Sequence, residues 1–207
     1  MKNIYLTFDD GPSDNTARIL DILKEHNLKG VFFVEGRRFE PKYLPVLNRI
    51  VREGHQLGLH SITHDKHLLY QQVDAHQHFL KEMLDVQKLI QETTGESPIL
   101  YRPPYGSHGN FTDAHCLTMK ASSLLCWDWH IDSEDWSASS ADEVYDNVVK
   151  GYQKQSGNDL VILFHEYDRT IEVLPRVIEF FQNEGCTFKG YDPDNHFPVN
   201  LLGVEGL

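Results

Sequence analysis

Short runs of β-branched and aromatic residues alternate with longer segments of helical periodicity along almost the whole of this 207-residue chain. Seven runs have the length and composition of buried strands, and they are Asn3–Phe8, Val31–Val34, Gln56–Leu59, Ile99–Tyr101, Ser123–Trp127, Asp159–Phe164 and Thr187–Lys189. The helical segments are Asn15–His26, Pro41–Glu53, Val73–Thr94, Thr112–Lys120, Ala141–Gln155 and Thr170–Glu184. Strands that alternate with helices build βαβ units, so the pattern predicts an α/β fold with a mostly parallel sheet.

The number of predicted strands favours a barrel that is one unit short of the eightfold form, because a complete (β/α)₈ barrel usually needs about 250 residues. An open, doubly wound sheet is the alternative. No Pro- or Ser-rich linker interrupts the alternation, so a single domain over residues 1–190 is expected. Residues 191–207 include two prolines and several glycines, and they are predicted to form an irregular C-terminal extension.

Charge and composition argue against several classes of partner. The chain has 19 Lys and Arg against 31 Asp and Glu, a formal net charge of −12, which disfavours binding to nucleic acid or to an anionic membrane. The longest apolar run, Leu160–Phe164, is far shorter than the ~20 residues of a membrane-spanning helix. The three cysteines lack CxxC spacing, so neither a disulfide framework nor a cysteine-based zinc site is expected. A monomer without nucleic-acid or membrane partners is expected.

The first residues lead directly into a strand-like segment, without the long apolar stretch of a signal peptide. This start slightly favours a cytoplasmic location. Secretion or a place in the cell envelope is the alternative if the natural chain has a longer N-terminus.

Residues that can carry chemistry follow five of the predicted strands. In a parallel sheet or barrel the carboxyl ends of the strands share one face, and that face holds the active site. The five segments that meet there are Asp9–Pro12, His60–His64, Arg102–Tyr105, Asp128–Trp136 and His165–Glu166. Chance could place one or two such segments together, so five of them predict an active site.

The spacing of His60 and His64 allows two imidazoles to bind one metal ion, although such a pair is also common on helix surfaces. The segment after the first strand, with Asp9 and Asp10, would by itself indicate a turn. Together the two segments predict a His₂Asp site with open coordination positions, as catalytic metal sites require. Neighbouring side chains on an extended backbone point in different directions, so one aspartate can bind the ion while the other faces a bound water.

Two further residues have plausible roles beside such a site. Arg102 could hold a buried Asp9 in place, and His165 could act as a general acid if a carboxylate from residues 132–135 orients it. Three apolar or aromatic residues are suited to line a sugar or acyl pocket, namely Tyr105, Trp136 and Leu163. The alternative is that they are buried in the core.

Taken in order, these segments resemble the five motifs of the polysaccharide deacetylase family, the NodB homology domain of carbohydrate esterase family 4. The matching segments are Thr7–Pro12, His60–His64, Arg102–Tyr105, Asp132–Trp136 and Leu163–His165. The resemblance extends from Ile4 to about Lys189 and implies a distorted (β/α)₇ barrel, with residues 1–190 as the NodB homology domain.

The resemblance also implies a hydrolase that removes N-acetyl groups from glycans containing N-acetylglucosamine, such as chitooligosaccharides, chitin or peptidoglycan. One divalent ion is implied, Zn²⁺ in the first place and Co²⁺ in the second. The implied metal ligands are Asp10, His60 and His64, the implied catalytic residues are Asp9, Arg102, Asp135 and His165, and the implied substrate contacts are Pro104, Tyr105, Trp136 and Leu163. In these roles Asp9 is the base, and His165 is the acid.

Two other functions are compatible with the same residues. An acetylxylan esterase would use the same site on an ester bond, because substrate choice depends on loops that the sequence does not define. A catalytically inactive, carbohydrate-binding barrel is the second alternative. The complete set of base, metal ligands and acid disfavours it, because a binding module has no need to keep them together.

Overall fold

The computed structural model describes residues 2–207 as an α/β fold, and Met1, where the predicted domain begins, lies outside the described residues. The strands are β1 (Asn3–Gly11), β2 (Gly30–Val34), β3 (Gln56–Leu59), β4 (Leu100–Tyr101), β5 (Leu125–Cys126), β6 (Ile131–Asp132), β7 (Asp159–His165) and β8 (Thr187–Phe188). The α-helices are α1 (Thr16–Glu25), α2 (Leu44–Arg52), α3 (Lys66–Tyr70), α4 (Ala75–Thr94), α5 (Asp113–Lys120), α6 (Ala141–Gln153) and α7 (Asp168–Asn183).

The strands pair in parallel in the order β5-β4-β3-β2-β1-β7-β6, and β8 pairs with the beginning of β1. This order places β1 between β2 and β7 and leaves β5 and β6 at the two ends of a curled sheet. The molecule is therefore a single-domain, distorted (β/α)₇ barrel, which confirms the predicted fold.

Each predicted strand and helix overlaps an element of the structure, but two short elements were not predicted. They are β6, with two residues, and α3, with five, and both are too short to show a periodic pattern. The prediction for α7 was also late by two residues, because the helix begins at Asp168 rather than Thr170.

Side chains along the strands alternate between two apolar layers, as the period of two requires. The outer layer packs against the helices and contains the larger cluster, which includes Leu6, Phe32 and Ile162. The inner layer fills the barrel, and its buried residues are Val31, Phe33, Leu100, Trp127, Val161 and Val199. Beyond this cluster, the inward-facing side chains nearer the carboxyl ends of the strands face the open end of the barrel.

The C-terminal segment 191–207 contains a 3₁₀ turn, Pro193–Asn195, and it covers the inner layer beside β5. Trp127 Nε1 donates a hydrogen bond to the Phe197 carbonyl at 3.1 Å, and Asp128 N donates to the Val199 carbonyl at 2.7 Å. Within residues 2–207, no helix has the length and apolar character needed to span a bilayer.

Gly58 on β3 gives the first test of this packing. A Cβ at this position would lie 2.5 Å from Phe33 Cδ1, so Gly58→Ala must displace a ring of the inner layer. We expect a loss of about 1–3 kcal/mol in the free energy of unfolding, measured by denaturant titration. Gly157→Ala is the control, because its Cβ would meet its nearest atom, Leu160 Cδ2, at 3.9 Å. Equal stability of the two variants would contradict the packing described here.

Candidate active site

The carboxyl end of the barrel holds a cavity of about 390 Å³. Most of the predicted site residues line it, namely Asp9, Asp10, His60, His64, Tyr105, Trp136, Leu163 and His165. Trp129 and Tyr167 also line it without having been predicted there, and so does Asp132, which was expected at this face without an assigned role of its own. The structure thus brings together side chains that lie up to 158 positions apart in the chain (from Asp9 to Tyr167).

Three predicted residues lie behind the cavity wall. Arg102 and Asp135 are completely buried, and each contacts a residue of the lining. Pro104 is also buried, and its carbonyl oxygen accepts a hydrogen bond from the hydroxyl of Tyr70 at 2.7 Å.

Asp10, His60 and His64 each direct one potential metal ligand atom to a common point, and these atoms lie within 4.8 Å of one another. His60 Nε2 is 3.2 Å and His64 Nε2 is 3.4 Å from Asp10 Oδ1. The backbone reaches this arrangement through left-handed conformations at Asp10 (φ 63°) and His64 (φ 52°), which are unusual for residues other than glycine.

The donor set fits a divalent metal ion. Asp10 Oδ1 is buried and accepts no hydrogen bond within residues 2–207, although two imidazole nitrogens face it. Ligand bonds of 2.0–2.1 Å in a tetrahedron would separate two donor atoms by about 3.3 Å, close to both observed separations. One carboxylate oxygen and two imidazole nitrogens are also a ligand set that zinc accepts.

Electrostatics at Asp10 and His64 also suit metal binding. Burial lowers the pKa of His60, but the charges of Asp9 and Asp10 outweigh burial and raise it. Burial, together with the charge of His60, lowers the pKa of His64 to about 4, so this imidazole is neutral near pH 7. Burial alone would raise the pKa of Asp10, but the close contact with the His60 imidazole and the charges of the neighbouring histidines lower it below its usual range. A neutral imidazole and an ionised carboxylate are the forms that bind metal ions.

Arg102 connects the elements of the site from inside the barrel. Its Nη1 donates to Asp9 Oδ1 and to Thr7 Oγ1, both at 2.7 Å. Its Nε and Nη2 donate to the carbonyl oxygens of Trp127 and Asp128, both at 2.8 Å. Four of the five guanidinium N–H groups thus have protein acceptors, and the group compensates the buried charge of Asp9.

The backbone of Arg102 also orients a candidate metal ligand. His60 Nδ1 lies 2.9 Å from the Arg102 carbonyl oxygen, which can only accept, so the proton is on Nδ1. The lone pair of Nε2 is then free to face Asp10, as in metal sites where a second hydrogen bond fixes the tautomer of the ligand. The other oxygen of Asp9, Oδ2, lies 3.8 Å from this Nε2, so Asp9 borders the candidate metal site.

At the end of β7, next to Asp9 on β1, Asp135 holds His165. The imidazole Nδ1 donates to Asp135 Oδ1 at 2.7 Å, while the backbone N–H of His165 and the hydroxyl of Thr170 donate to Oδ2, both at 2.6 Å. Burial lowers the pKa of His165, but the hydrogen bond and charge of Asp135 outweigh it and raise the pKa to about 9. His165 is therefore protonated near pH 7, with Nε2–H as its second donor.

The mouth of the cavity is aromatic. Trp136 and Tyr105 are 59% and 50% exposed, which is unusual for such large rings and typical of surfaces that bind sugars or other apolar faces. Tyr167, at 37%, packs beside His165 with ring centroids 5.7 Å apart. Tyr105 has a left-handed backbone (φ 64°), and its N–H finds no acceptor within the described part of the chain.

Sequence reasoning overlooked the roles of Trp129, Asp132 and Tyr167 for different reasons. Trp129 lies two residues before the missed strand β6, and Asp132 lies in it. Asp132 was considered only as part of a motif and of the segment that could orient His165. Tyr167 lies two residues after His165, and its position near a strand end was the available signal. Burial raises the pKa of Asp132, whose Oδ1 accepts from Glu134 N at 2.8 Å.

Comparison with known proteins gives one consistent family. A sequence model described as polysaccharide deacetylase matches residues 1–121. The chain is 34% identical over 207 residues to a peptidoglycan-N-acetylglucosamine deacetylase of Bacillus cereus, covering 97% of this chain and 73% of that protein. It is 36% identical over 170 residues to the peptidoglycan-N-acetylmuramic acid deacetylase PdaC of Bacillus subtilis, covering 82% of this chain and 33% of PdaC. The crystal structure of the polysaccharide deacetylase Bc1974 from Bacillus cereus superposes with a TM-score of 0.89 and 32% identity, over 100% of both chains.

The geometry around His165 gives a direct prediction. In the metal-free protein, Asp135→Asn should lower the pKa of His165 well below about 9, because burial stays while the hydrogen bond and the charge of Asp135, the two largest raising causes, are lost. NMR titration of the imidazole measures this shift. Asp132→Asn is the control, because it removes a carboxylate of the same cavity but keeps the Nδ1 hydrogen bond, and it should shift the pKa much less. A pKa that stays near 9 in Asp135→Asn would contradict the assigned ion pair.

Proposed function

The chain belongs to the polysaccharide deacetylase family, and we propose that it hydrolyses the N-acetyl groups of N-acetylglucosamine-containing glycans with the help of one divalent metal ion. The observation that carries the proposal is the arrangement of the cavity. Asp9, paired with Arg102, and His165, paired with Asp135, are register partners at the ends of the adjacent strands β1 and β7, and both line the cavity that holds the candidate metal ligands. Hydrolysis of an amide needs a base and an acid in two such positions.

Asp10, His60 and His64 would hold the ion, Zn²⁺ in the first place and Co²⁺ in the second. When bound there, the ion would lower the pKa of a coordinated water and polarise the carbonyl group of the acetyl substituent. Three protein ligands leave open positions for both oxygen atoms.

Asp9 is the proposed base. Its Oδ1 is held by Arg102 at 2.7 Å, so Oδ2 is the oxygen that can accept a proton from the attacking water. Arg102 cannot lose its own proton near neutral pH, and it therefore fixes the position of Asp9 without competing for the transferred proton.

Tyr105 and His165 are placed to stabilise the later charges of the reaction. The unpaired backbone N–H of Tyr105 can donate to the developing oxyanion, as in other acyl-transfer sites. His165, protonated through its contact with Asp135, can donate the proton on Nε2 to the departing amine nitrogen. The water oxygen joins the acetyl carbon, the carbon–nitrogen bond breaks, and acetate and a free amine result.

The aromatic mouth supports a saccharide substrate, because Tyr105, Trp136 and Tyr167 present ring faces against which a pyranose can pack. Leu163 is 3% exposed and lines the cavity, and it is placed to contact the acetyl methyl group. Two of the relatives are named as peptidoglycan deacetylases that act on different amino sugars, N-acetylglucosamine and N-acetylmuramic acid. We therefore place peptidoglycan first and chitooligosaccharides second as substrates.

Acetate release tests this function. Protein stripped with a chelator should release no acetate from chitopentaose or peptidoglycan fragments, and added Zn²⁺ or Co²⁺ should restore release. His64→Ala should abolish both metal binding and release. His67→Ala is the matched control, because this exposed histidine lies on α3 outside the cavity, and it should keep wild-type activity.

Two results would contradict the proposal. Acetate release that is unaffected by chelation would remove the metal from the mechanism. Rapid release from acetylxylan, without any from the amide substrates, would assign the site to an esterase.

A further inference from the structure

A buried carboxylate outside the proposed chemistry lies beneath the loop that carries His64. Glu82 is on α4 and is 3% exposed. Its Oε2 accepts hydrogen bonds from the backbone N–H groups of Ile62 and Thr63, both at 2.9 Å. Its Oε1 accepts from the Thr63 hydroxyl at 2.9 Å and from His78 Nε2 at 2.8 Å. Both oxygens are therefore occupied, and most of their donors come from the loop.

The loop needs such support because its conformation is costly. Ser61 (φ 64°) and His64 (φ 52°) are both left-handed, which is a strained conformation for residues other than glycine. The carbonyl groups of Ser61 and Ile62 accept from Gly36 N at 2.9 Å and Arg37 N at 3.0 Å. These contacts hold the loop from one side through its carbonyl groups, and Glu82 holds it from the other side through its N–H groups.

The position of Glu82 is unusual for its helix. The other buried residues of α4 are apolar, and they are Ala75, Phe79, Met83, Val86 and Ile90. A buried carboxylate loses several kcal/mol of hydration, and only a complete set of hydrogen bonds offsets that loss. An apolar side chain at position 82 would serve the packing of the helix at least as well, so packing alone does not account for a glutamate.

We propose that Glu82 is a positioning residue for the metal centre, and this inference rests on the proposed function of Asp10, His60 and His64 as ligands. Glu82 does not line the cavity and cannot touch the substrate. It fixes the backbone of Ile62 and Thr63, and thereby keeps His64 Nε2 at 3.4 Å from Asp10 Oδ1 before the metal binds. Its effect is on the affinity and geometry of the metal site.

The test compares Glu82→Ala, Glu82→Gln and Glu82→Asp with the wild-type protein. The dissociation constants for Zn²⁺ are measured by competition with a chromophoric chelator, and the absorption spectrum of the Co²⁺ form reports the ligand geometry. Glu82→Ala should weaken Zn²⁺ binding by about tenfold or more and alter the Co²⁺ spectrum, the size expected for loss of an outer contact to a metal ligand.

The two conservative variants distinguish the effect of side-chain length on Zn²⁺ affinity from the effect of charge. Glutamine keeps an oxygen at the length that meets both N–H groups, so Glu82→Gln should stay within about threefold of wild type. Aspartate keeps the charge but is one methylene shorter, so Glu82→Asp should bind Zn²⁺ less tightly than Glu82→Gln. This order can be measured even if Glu82→Ala does not fold, and the reverse order would overturn the inference.

Val86→Ala is the matched control for general destabilisation, because Val86 is fully buried on the same helix and its apolar side chain takes no part in the hydrogen bonds that hold the loop. It should lower the free energy of unfolding and leave Zn²⁺ affinity unchanged. Equal weakening of Zn²⁺ binding in Val86→Ala and Glu82→Ala would mean that Glu82 contributes only to the stability of the fold. Unchanged affinity in folded Glu82→Ala would refute the inference while leaving the metal site intact, whereas absence of Zn²⁺ binding in the wild-type protein would refute the metal site and the inference together.

Discussion

The buried ion pair between Arg102 and Asp9 is the interaction on which the rest of the site depends. Burying a guanidinium and a carboxylate is unfavourable unless their hydrogen bonds are satisfied, and Arg102 meets this condition with acceptors from β1 and from the segment after β5. Its backbone pairs with Leu59 at the end of β3 and accepts from His60. One residue therefore ties together the ends of β1, β3 and β5, and the first two of these deliver the proposed base and metal ligands.

The barrel makes this pairing possible because it separates two kinds of packing. The outer sides of the strands bury apolar residues against the helices and provide the larger core. The inner side carries a smaller apolar cluster that gives way, at the carboxyl end, to Thr7, Asp9, Arg102 and His165. The alternation of strand side chains accounts for this order, since polar residues two positions beyond an inner apolar residue still face inward. The residues that stabilise the fold and the residues proposed to carry the chemistry therefore lie at different positions along the same strands.

Much of the fold and most of the cavity lining were predictable from the sequence, because long periodic segments and polar residues after strands are strong signals. The strand β6 was missed because two residues carry no periodicity. The different directions of Asp9 and Asp10 and the pairing of Arg102 with Asp9 were expected from the sequence, but the left-handed backbone of Asp10 was not, because it arises only from tertiary contacts. Glu82 escaped notice for a related reason, since a glutamate on an amphipathic helix ordinarily faces solvent.

The division of labour between the two neighbouring aspartates is the central claim, and bound zinc together with acetate release in Asp9→Asn and Asp10→Asn tests it most directly. The account predicts that Asp9→Asn keeps close to one zinc ion per chain and loses turnover, because Asp9 transfers the proton. Asp10→Asn should lose zinc itself. Loss of zinc in Asp9→Asn with retention in Asp10→Asn would contradict the account, because the two side chains would then have exchanged roles.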